Sequence, residues 1–382
     1  MNRMRIVLLV LAACLPSMAA AQAIPAAAEI DDKVRSVMAR TGAQGLAIAV
    51  IDKGRPVHVQ AYGLRNGRGD PLTVDTVMYG ASLTKTVFAY TVVRLAQQRR
   101  IDLDTSIARY LPEPLPSYAG KDIVNRYADW SALDERWRAL TPRILLTHSA
   151  GFANFGFLEP DRKLKFHFDP GARYAYSGDG LNTLQFVMER GLGIDVGAET
   201  DRIFAGFGMR NTSLVWRPEF AANLADGWDA QGRIEPHDER SKVRAAGSMD
   251  TTIADFATFA AAFVRGDGLS RKARAELLRP QLPITTRTQF PTLQAELPPA
   301  ERRADLAAGL GLVVFEGPQG RGFYKGGHND STGNTWVCVV AKRRCVVILA
   351  NDVRAERGFR ELVDFVLGPT GVPYDWEYGS EG

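Results

Sequence analysis

The segment from Thr86 to Ala96 carries apolar residues on nearly every face, a pattern that predicts a helix buried on all sides. Ser82-Leu-Thr-Lys85 stands directly before it and is the only Ser-x-x-Lys in the 382 residues. Residues three apart at the first turn of a helix lie on one face. We therefore predict a buried helix over residues 82–98 that presents Ser82 and Lys85 together at its amino end.

A serine and a lysine in this arrangement fit nucleophilic catalysis. A lysine removed from water loses its proton more readily and can act as the base for a neighbouring hydroxyl. The helix amino end also offers backbone N–H groups and a positive dipole end to a developing oxyanion. Ser82 is the predicted nucleophile and Lys85 its base, although the motif alone is also typical of a solvated helix turn.

Five further stretches accompany this motif, and together the six carry a family resemblance. In order, the five are Ile101–Pro112, Leu140–Phe152, Phe168–Gly178, Ala245–Asp255 and Gly326–Gly333. The set resembles the serine beta-lactamase and penicillin-binding protein superfamily, for which Ser-x-x-Lys is a known motif. It is most similar to the branch with class C beta-lactamases, D-alanyl-D-alanine carboxypeptidases and related esterases. The resemblance spans residues 30–368, a single catalytic unit.

The resemblance implies a role for Tyr176, which occupies the position of the family's Tyr-x-Asn tyrosine. Such a tyrosine can relay a proton to the leaving group and activate water for deacylation, if neighbouring cations lower its pKa. Gly178 replaces the usual Asn, whose amide would bind the acyl side chain of a penicillin or peptide. This departure favours ester or other acyl substrates over beta-lactams.

His328-Asn329-Asp330 aligns with the family's third motif, Lys-Thr-Gly or His-x-Gly. In this register His328 lies beside Tyr176 and the substrate, and Asn329 follows it. Asp330 stands where glycine is usual, and its carboxylate would face the carboxylate of a penicillin.

The oxyanion hole depends on the same register. With His328 in the motif, the N–H groups of Ser82 and Ser331 would form the hole. An alternative register uses Lys325 as the cation, followed by two glycines. Lys325 therefore remains a candidate substrate-binding residue.

Two other interpretations compete with a Ser82 enzyme. Thr147-His-Ser-Ala-Gly151 nearly matches the nucleophile elbow of alpha/beta-hydrolases, but the first glycine is missing and no strand clearly precedes it. We interpret His148 and Ser149 as structural. A catalytically lapsed penicillin- or peptidoglycan-binding protein on the same fold would explain both departures from the family motifs, whereas the intact Ser-Lys pair favours an enzyme.

Strand-like segments stand at both ends of the chain, with helices and long loops between them. We predict an α/β (α+β) fold with an antiparallel sheet built from residues 24–80 and 305–370 and flanked by helices. Residues 81–304 form an inserted, mostly helical lobe, and residues 371–382 a loose acidic tail. The strand candidates are Gly45–Asp52, Val57–Gly63, Leu310–Phe315, Gly322–Lys325, Trp336–Val340 and Cys345–Ala350, and Phe359–Leu367 is a closing helix.

Two cysteines flank a hairpin-like pattern, Trp336-Val-Cys-Val-Val and Cys345-Val-Val-Ile-Leu. A symmetric hairpin pairs Cys338 directly with Cys345, and in an exported protein such a pair can oxidise. We predict a disulfide; two buried thiols that merely pack are the alternative.

The amino terminus predicts export. Residues 1–23 combine a charged start, a short apolar run and an A-x-A site, which is typical of a signal peptide cleaved after Ala23. The mature protein would be periplasmic or secreted. Alternatively, Leu11-Ala-Ala-Cys14 resembles a lipobox, with lipidation at Cys14.

The composition excludes several classes of function. Removing Arg3 and Arg5 lowers the formal net charge from +4 to +2, so nucleic-acid binding has no electrostatic support. The mature chain has no apolar run of membrane-spanning length, and its histidines show no metal-ligand spacing. We expect no metal or cofactor and a small-molecule or peptidoglycan-derived acyl substrate; the oligomeric state is not indicated.

The sequence thus predicts an exported serine hydrolase that works through a Ser82 acyl-enzyme. Esterase-like activity is favoured, and a class C-like beta-lactamase or D-alanyl-D-alanine carboxypeptidase is the alternative.

Overall fold

A computed structural model describes residues 23–379. The predicted leader up to Gln22, including the alternative lipidation site at Cys14, lies outside the described residues. The helices are α1 Ala27–Thr41, α2 Leu83–Gln97, α3 Lys121–Arg126, α4 Pro142–Leu146, α5 Gly178–Phe186, α6 Val196–Phe207, α7 Ile253–Arg265, α8 Arg271–Leu278, α9 Phe359–Leu367 and α10 Tyr374–Tyr378.

The strands form one large antiparallel sheet and two short ribbons, and the predicted fold class is confirmed. The eight-stranded sheet has the order β2-β1-β12-β11-β10-β9-β8-β7, so strands from both chain ends meet at its centre. The strands are β1 Gly45–Asp52, β2 Arg55–Gly63, β3 Met78–Tyr79, β4 Gly227–Trp228, β5 Ile234–Glu235, β6 Asp250–Thr251, β7 Leu282–Pro283, β8 Leu306–Ala308, β9 Val313–Gly317, β10 Gly320–His328, β11 Gly333–Val339 and β12 Arg344–Ala350.

The central strands are covered on both faces, which explains their nearly continuous apolar sequences. In β1 and β12, Ile48 pairs with Ile348 and packs with α1 and α9 on one face. Ala49 and Val347 point to the other face, where α2 and α7 lie. The predicted helix α2 is confirmed: it begins directly after Ser82, and most of its side chains are buried.

The inserted segment is less separate from the sheet than predicted. Strand β7, at residues 282–283, extends the sheet by pairing with β8. Helix α7 packs on the sheet, where Phe256 and Phe263 make edge contacts with Trp336 at ring separations of 5.3 and 4.9 Å. The apolar face of α7 therefore belongs to the sheet's own core.

The predicted disulfide is confirmed. Cys338 and Cys345 are directly paired residues of β11 and β12, with Cα atoms 4.1 Å apart, and they form a bridge. The symmetric hairpin brings the two side chains to the same face, as the spacing predicted.

The structure corrects the predicted loose tail. Residues 374–378 form α10, in which Tyr374, Trp376 and Glu377 are buried. Trp376 donates from Nε1 to Thr286 Oγ1 at 3.2 Å, and its carbonyl accepts from Gln289 N at 2.7 Å. Aromatic side chains in this acidic segment dock it onto the body of the protein.

Over residues 23–379, no helix is long and apolar enough to cross a membrane. The same part of the chain has no group of three or more His, Cys, Asp or Glu side chains placed to hold a metal ion.

Candidate active site

Ser82 stands at the end of a constrained turn before α2. Gly80 N donates to Met249 O at 2.8 Å, which ties the turn to the neighbouring ribbon of β3 and β6. Ala81 adopts a left-handed backbone with φ of 45°, which is uncommon for a residue with a side chain. Such strain persists only where the surroundings fix it, and here it delivers Ser82 to the first turn of a buried helix.

Lys85 contacts the Ser82 hydroxyl, as predicted. Its Nζ lies 2.8 Å from Ser82 Oγ, and it also donates to the Ala246 carbonyl. The side chain is 1% exposed. Burial, followed by the nearby positive charge of Lys325, holds the pKa of Lys85 well below its usual range. Lys85 is therefore suited to be a neutral amine that accepts a proton.

Tyr176 completes the arrangement around the serine. Its hydroxyl donates to Ser82 Oγ at 2.8 Å. Lys85 and Lys325 lie against its ring, with Nζ atoms 4.9 and 5.1 Å from the centroid. The expectation that these cations lower the tyrosine's pKa is not met, because burial raises the pKa of Tyr176. The phenol therefore stays protonated and can donate.

His148 supports Tyr176 from behind. The two rings stack with centroids 4.5 Å apart, and His148 Nδ1 accepts from Ser177 N at 3.1 Å. Burial, with Lys85 and Lys325 nearby, holds the pKa of His148 well below its usual range, so the ring is neutral. Ser149 is buried and bonds to Thr147 Oγ1 at 2.9 Å. Both residues fit the structural interpretation.

The geometry favours the Lys325 register of the third motif. Lys325 is 4% exposed and contacts the Tyr176 ring. A Cβ at Gly327 would lie 2.9 Å from Ser82 N, so glycine allows β10 to approach Ser82 this closely. The side chain of His328 is 41% exposed, in contrast to the buried Lys325.

His328 instead pairs with a carboxylate outside the Ser-Lys-Tyr group. Its Nδ1 lies 3.2 Å from Glu356 Oε1. This hydrogen bond is the main reason that the pKa of His328 is raised. The ring of Phe290 also lies near it, with centroids 5.9 Å apart. His328 and Asn329 line the catalytic cavity, but the His328 imidazole does not join the hydrogen bonds to Ser82.

The predicted roles of Asp330 and Ser331 are not supported, because both residues lie in the turn that follows β10. Ser331 N donates to Asn329 Oδ1 at 3.1 Å, which occupies the N–H expected in the oxyanion hole. Asp330 is exposed and lies outside the cavity lining. Its carboxylate therefore does not face a substrate bound at Ser82.

The backbone of His328 offers a replacement for the Ser331 donor. Asn329 N donates to Thr332 O at 3.1 Å, and hydrogen-bonded pairs alternate along an antiparallel ladder. The next pair along the ladder, His328 with Gly333, is therefore a non-hydrogen-bonded pair. In such a pair the N–H groups point away from the partner strand, so the His328 N–H faces away from β11. That edge of β10 is open, because β9 pairs with β10 only as far as Tyr324.

Ser82, Lys85, Tyr176 and Lys325 lie on the wall of a cavity of about 550 Å³. Part of the wall is aromatic, formed by Phe155 and Phe290. Another part is charged and comes from one loop, with Asp238, Glu239, Arg240, Lys242 and Arg244. The cavity lining thus combines aromatic and charged side chains.

Gly178, which replaces the family's Asn, adjoins the aromatic part. A Cβ at Gly178 would lie 2.5 Å from Phe155 Cε1. Phe155 therefore fills the space that a side chain at position 178 would occupy. Its ring stacks on Phe157 at 5.1 Å, and Phe157 is 59% exposed. Together the two rings extend an apolar surface from the cavity to solvent.

Sequence reasoning missed several cavity residues, because each arrives from a distant segment. Asn182 Oδ1 accepts from Ala246 N at 3.2 Å, which fixes the carbonyl that Lys85 contacts. Phe290 packs edge-on against Tyr176 at 5.6 Å. Glu377 reaches the cavity from α10. Phe155 differs from these three, because the sequence places it among five phenylalanines at positions 152–168, which could line an apolar substrate entrance or pack in the core of the helical lobe.

Comparisons with known proteins agree with this geometry. A family model described as Beta-lactamase matches residues 30–367. Esterase EstB of Burkholderia gladioli is 30% identical over 212 residues, which cover 47% of this chain and 50% of the esterase. The chain thus spans about half the length of that relative.

Two further matches cover more of the chain. D-alanyl-D-alanine-carboxypeptidase/endopeptidase AmpH of Escherichia coli strain K12 is 27% identical over 321 residues, 81% of this chain and 80% of that protein. The crystal structure of D-alanine carboxypeptidase AmpC from Burkholderia cenocepacia superposes with a TM-score of 0.68 at 18% identity. It covers 90% of this chain and 99% of its own, and at that identity it shows the fold alone.

Proposed function

Because the chain belongs to the Beta-lactamase family, we propose that it is an exported serine hydrolase that forms an acyl-enzyme on Ser82 and favours esters of apolar acids. One observation carries the proposal: Ser82 Oγ lies 2.8 Å from both Lys85 Nζ and Tyr176 OH, on the wall of a substrate-sized cavity. A nucleophile, a neutral amine and a phenol donor in contact are the groups that acyl transfer requires.

In the acylation step, Lys85 accepts the proton of Ser82 as Oγ attacks the ester carbonyl carbon. The N–H groups of Ser82 and His328 stabilise the oxyanion, and the charged Lys325 adds to that field. The new bond joins Ser82 Oγ to the acyl carbon. The bond from that carbon to the leaving oxygen then breaks, and the Tyr176 hydroxyl protonates the departing alcohol while Lys85 returns the proton to the phenolate.

Deacylation runs the same transfers in reverse, with water in place of the alcohol. Lys85, again neutral, accepts a proton from the attacking water through Tyr176, and the carboxylic acid leaves as Ser82 regains its proton. Both steps use one oxyanion hole and one proton path. His148 keeps the Tyr176 ring in place by stacking, and it carries no charge that would disturb the phenol.

The preference for esters rests on Gly178 and Phe155. Without a side-chain amide at position 178, the acyl-amide group of a penicillin lacks a hydrogen bond that typically contributes roughly 0.5–1.5 kcal/mol. The Phe155 ring in its place offers apolar contact instead. Burial of each methylene group on such a surface is worth about 0.8 kcal/mol.

We expect p-nitrophenyl butanoate to exceed p-nitrophenyl acetate in kcat/KM by about tenfold, because two added methylene groups contact Phe155. A penicillin should be hydrolysed more slowly than either ester. Phe155→Ala should reduce the gain from chain length, whereas Leu158→Ala, an exposed apolar residue on the same loop, should not. A penicillin with the larger kcat/KM would replace this proposal with a beta-lactamase.

The same assay separates the remaining alternatives. Intact mass after incubation with a penicillin would show a stable adduct without turnover if the protein is a lapsed binding protein. Release of D-alanine from a D-alanyl-D-alanine peptide faster than ester hydrolysis would favour a carboxypeptidase.

We also propose that the protein is exported, on the strength of its charged, apolar and A-x-A leader. Expressed with its leader in a Gram-negative host, the protein should appear in the periplasm or medium with a mature amino terminus at Ile24. A diacylated Cys14, detected by mass spectrometry, would contradict cleavage after Ala23 and place the enzyme on a membrane surface.

A further inference from the structure

The segment after α9 carries a buried carboxylate into the catalytic cavity. Glu377, in α10, is 8% exposed and lines the same wall as Lys325. Its Oε2 accepts from Gln289 Nε2 at 2.7 Å and from Tyr324 OH at 3.0 Å. A Cβ at Gly326 would lie 2.3 Å from Glu377 Oε1. The carboxylate therefore occupies the position of a side chain on the residue after Lys325.

The groups that hold Glu377 are themselves fixed. Gln289 Oε1 accepts from Tyr174 OH at 3.1 Å, and Gln289 N donates to the carbonyl of Trp376 at 2.7 Å. Trp376 is buried. Burying a carboxylate costs free energy unless hydrogen bonds and an opposite charge compensate it. The hydrogen bonds are in place, and the opposite charge is Lys325 on the wall of the same cavity, which interacts with the carboxylate through space while its Nζ donates to the Gly326 carbonyl at 2.6 Å.

The same cavity also buries two amino groups, those of Lys85 and Lys325. Their positive charges would repel each other if both were protonated. Burial lowers the pKa of Lys325 to about 8, and the Glu377 charge limits that decrease. For Lys85, burial and Lys325 lower the pKa, while Asp179 and then Glu377 oppose them. The charge of Glu377 thus raises the pKa of Lys325, whereas the pKa of Lys85 is set first by burial and then by the charge of Lys325.

We propose that Glu377 is a positioning residue for catalysis, which keeps Lys325 as a charged ammonium beside the oxyanion while Lys85 remains the neutral base. The proposal rests on the proposed roles of Ser82 and Lys85. It assigns a function to the segment that the sequence predicted to be loose, because α10 must dock for the carboxylate to reach β10.

Several elements present titratable groups to Glu377, and a pH test must allow for them. They are Tyr324, Lys325 and His328 of β10, Tyr174 and Tyr176 before α5, Lys85 of α2, Tyr374 and Tyr378 of α10, and Glu356 before α9. Burial raises the pKa of the five tyrosines, so they stay protonated through the range where Lys325 titrates.

Glu377→Gln keeps the shape of the side chain and removes its charge. If a charged Lys325 is needed, kcat/KM falls as pH rises through the pKa of Lys325. Without the carboxylate that pKa drops, so this alkaline limb should move to lower pH by roughly one unit. Glu377→Asp, which keeps the charge, should restore part of the shift. Asp375→Asn, an exposed carboxylate on the same helix, should leave the limb unchanged.

Thermal unfolding against pH tests the inference without relying on activity. The folded-state pKa of Lys325, about 8, lies below its unfolded value of 10.5. Its protonation therefore costs stability in full below about pH 8, and the cost fades as pH rises from the folded-state pKa to the unfolded-state pKa. Glu377→Gln enlarges that cost. Its Tm should therefore fall below wild type at pH 7 by roughly 1–3 °C, and the deficit should shrink by pH 9–10.

The two measurements separate this inference from the proposed function. A wild-type protein that Ser82-directed reagents fail to acylate would overturn the function, and the unfolding data would still decide the role of Glu377. A Tm deficit that is the same at every pH, or an unmoved alkaline limb in an active Glu377→Gln variant, would show that the residue is only structural.

Discussion

Replacing Ser82 by alanine is expected to lower kcat for ester hydrolysis by about 10⁴-fold or more, because no other hydroxyl in the cavity contacts both Lys85 and a phenol donor over residues 23–379. The oxyanion donors and the aromatic wall survive the change, so substrate should still bind. Steady-state kinetics with a p-nitrophenyl ester measure the loss, and KM should change far less than kcat.

Covalent labelling provides the control for this variant. A fluorophosphonate should modify the wild type once, and peptide mapping should place the adduct on Ser82. Ser149→Ala should be labelled normally, because Ser149 bonds to Thr147 and lies outside the cavity lining. An adduct on Ser149, or full activity in Ser82→Ala, would contradict the assignment of the nucleophile.

Replacing Lys85 by methionine is expected to slow acylation by about 10²–10⁴-fold, the range typical of losing a positioned general base. Methionine fills a similar volume, and removing a buried amine leaves no unpaired charge, so the fold should persist. Lys242→Met removes an exposed lysine from the rim of the same cavity and should have little effect. Stopped-flow release of p-nitrophenol measures the acylation rate directly.

The pH dependence of the wild type gives a second test of Lys85. A base acts in its neutral form, so activity falls as pH drops through its pKa. Because burial and Lys325 hold the pKa of Lys85 well below its usual range, activity should persist well below the pH at which ordinary lysines lose their protons. An acid limb near the ordinary lysine value, or a Lys85→Met variant with wild-type acylation, would rule out this role.

These expectations share one electrostatic origin. Lys85 and Lys325 lie against the Tyr176 ring, and in so small a buried space two ammonium groups oppose each other. The site is therefore most stable with one lysine neutral and the other charged. Their surroundings differ, since Lys85 contacts Ser82, whereas the charge of Glu377 acts on Lys325. In the proposed mechanism, one cavity thus holds both a base and a positive charge at neutral pH.

The local patterns of the sequence determined much of this protein. The apolar run after Lys85 predicted α2 because a helix apolar on every face has to be buried. Apolar runs likewise predicted β1 and β12, and the symmetric spacing of Cys338 and Cys345 predicted their bridge. The contact between Ser82 and Lys85 could also be predicted from the sequence, because residues three apart in one helical turn lie on the same face.

Only the tertiary structure could show which residues of β10 lie opposite Ser82. His328 and Lys325 both matched a family motif, and a strand pattern does not say which stretch lies opposite Ser82. The decision came from Gly327, whose missing side chain lets the strand approach Ser82 N. The contact of Phe155 with Gly178 and that of Glu377 with Gly326 could not be read from the sequence, because segments far apart in the chain meet there. Contacts of that kind depend on how whole elements pack, and no local pattern encodes them.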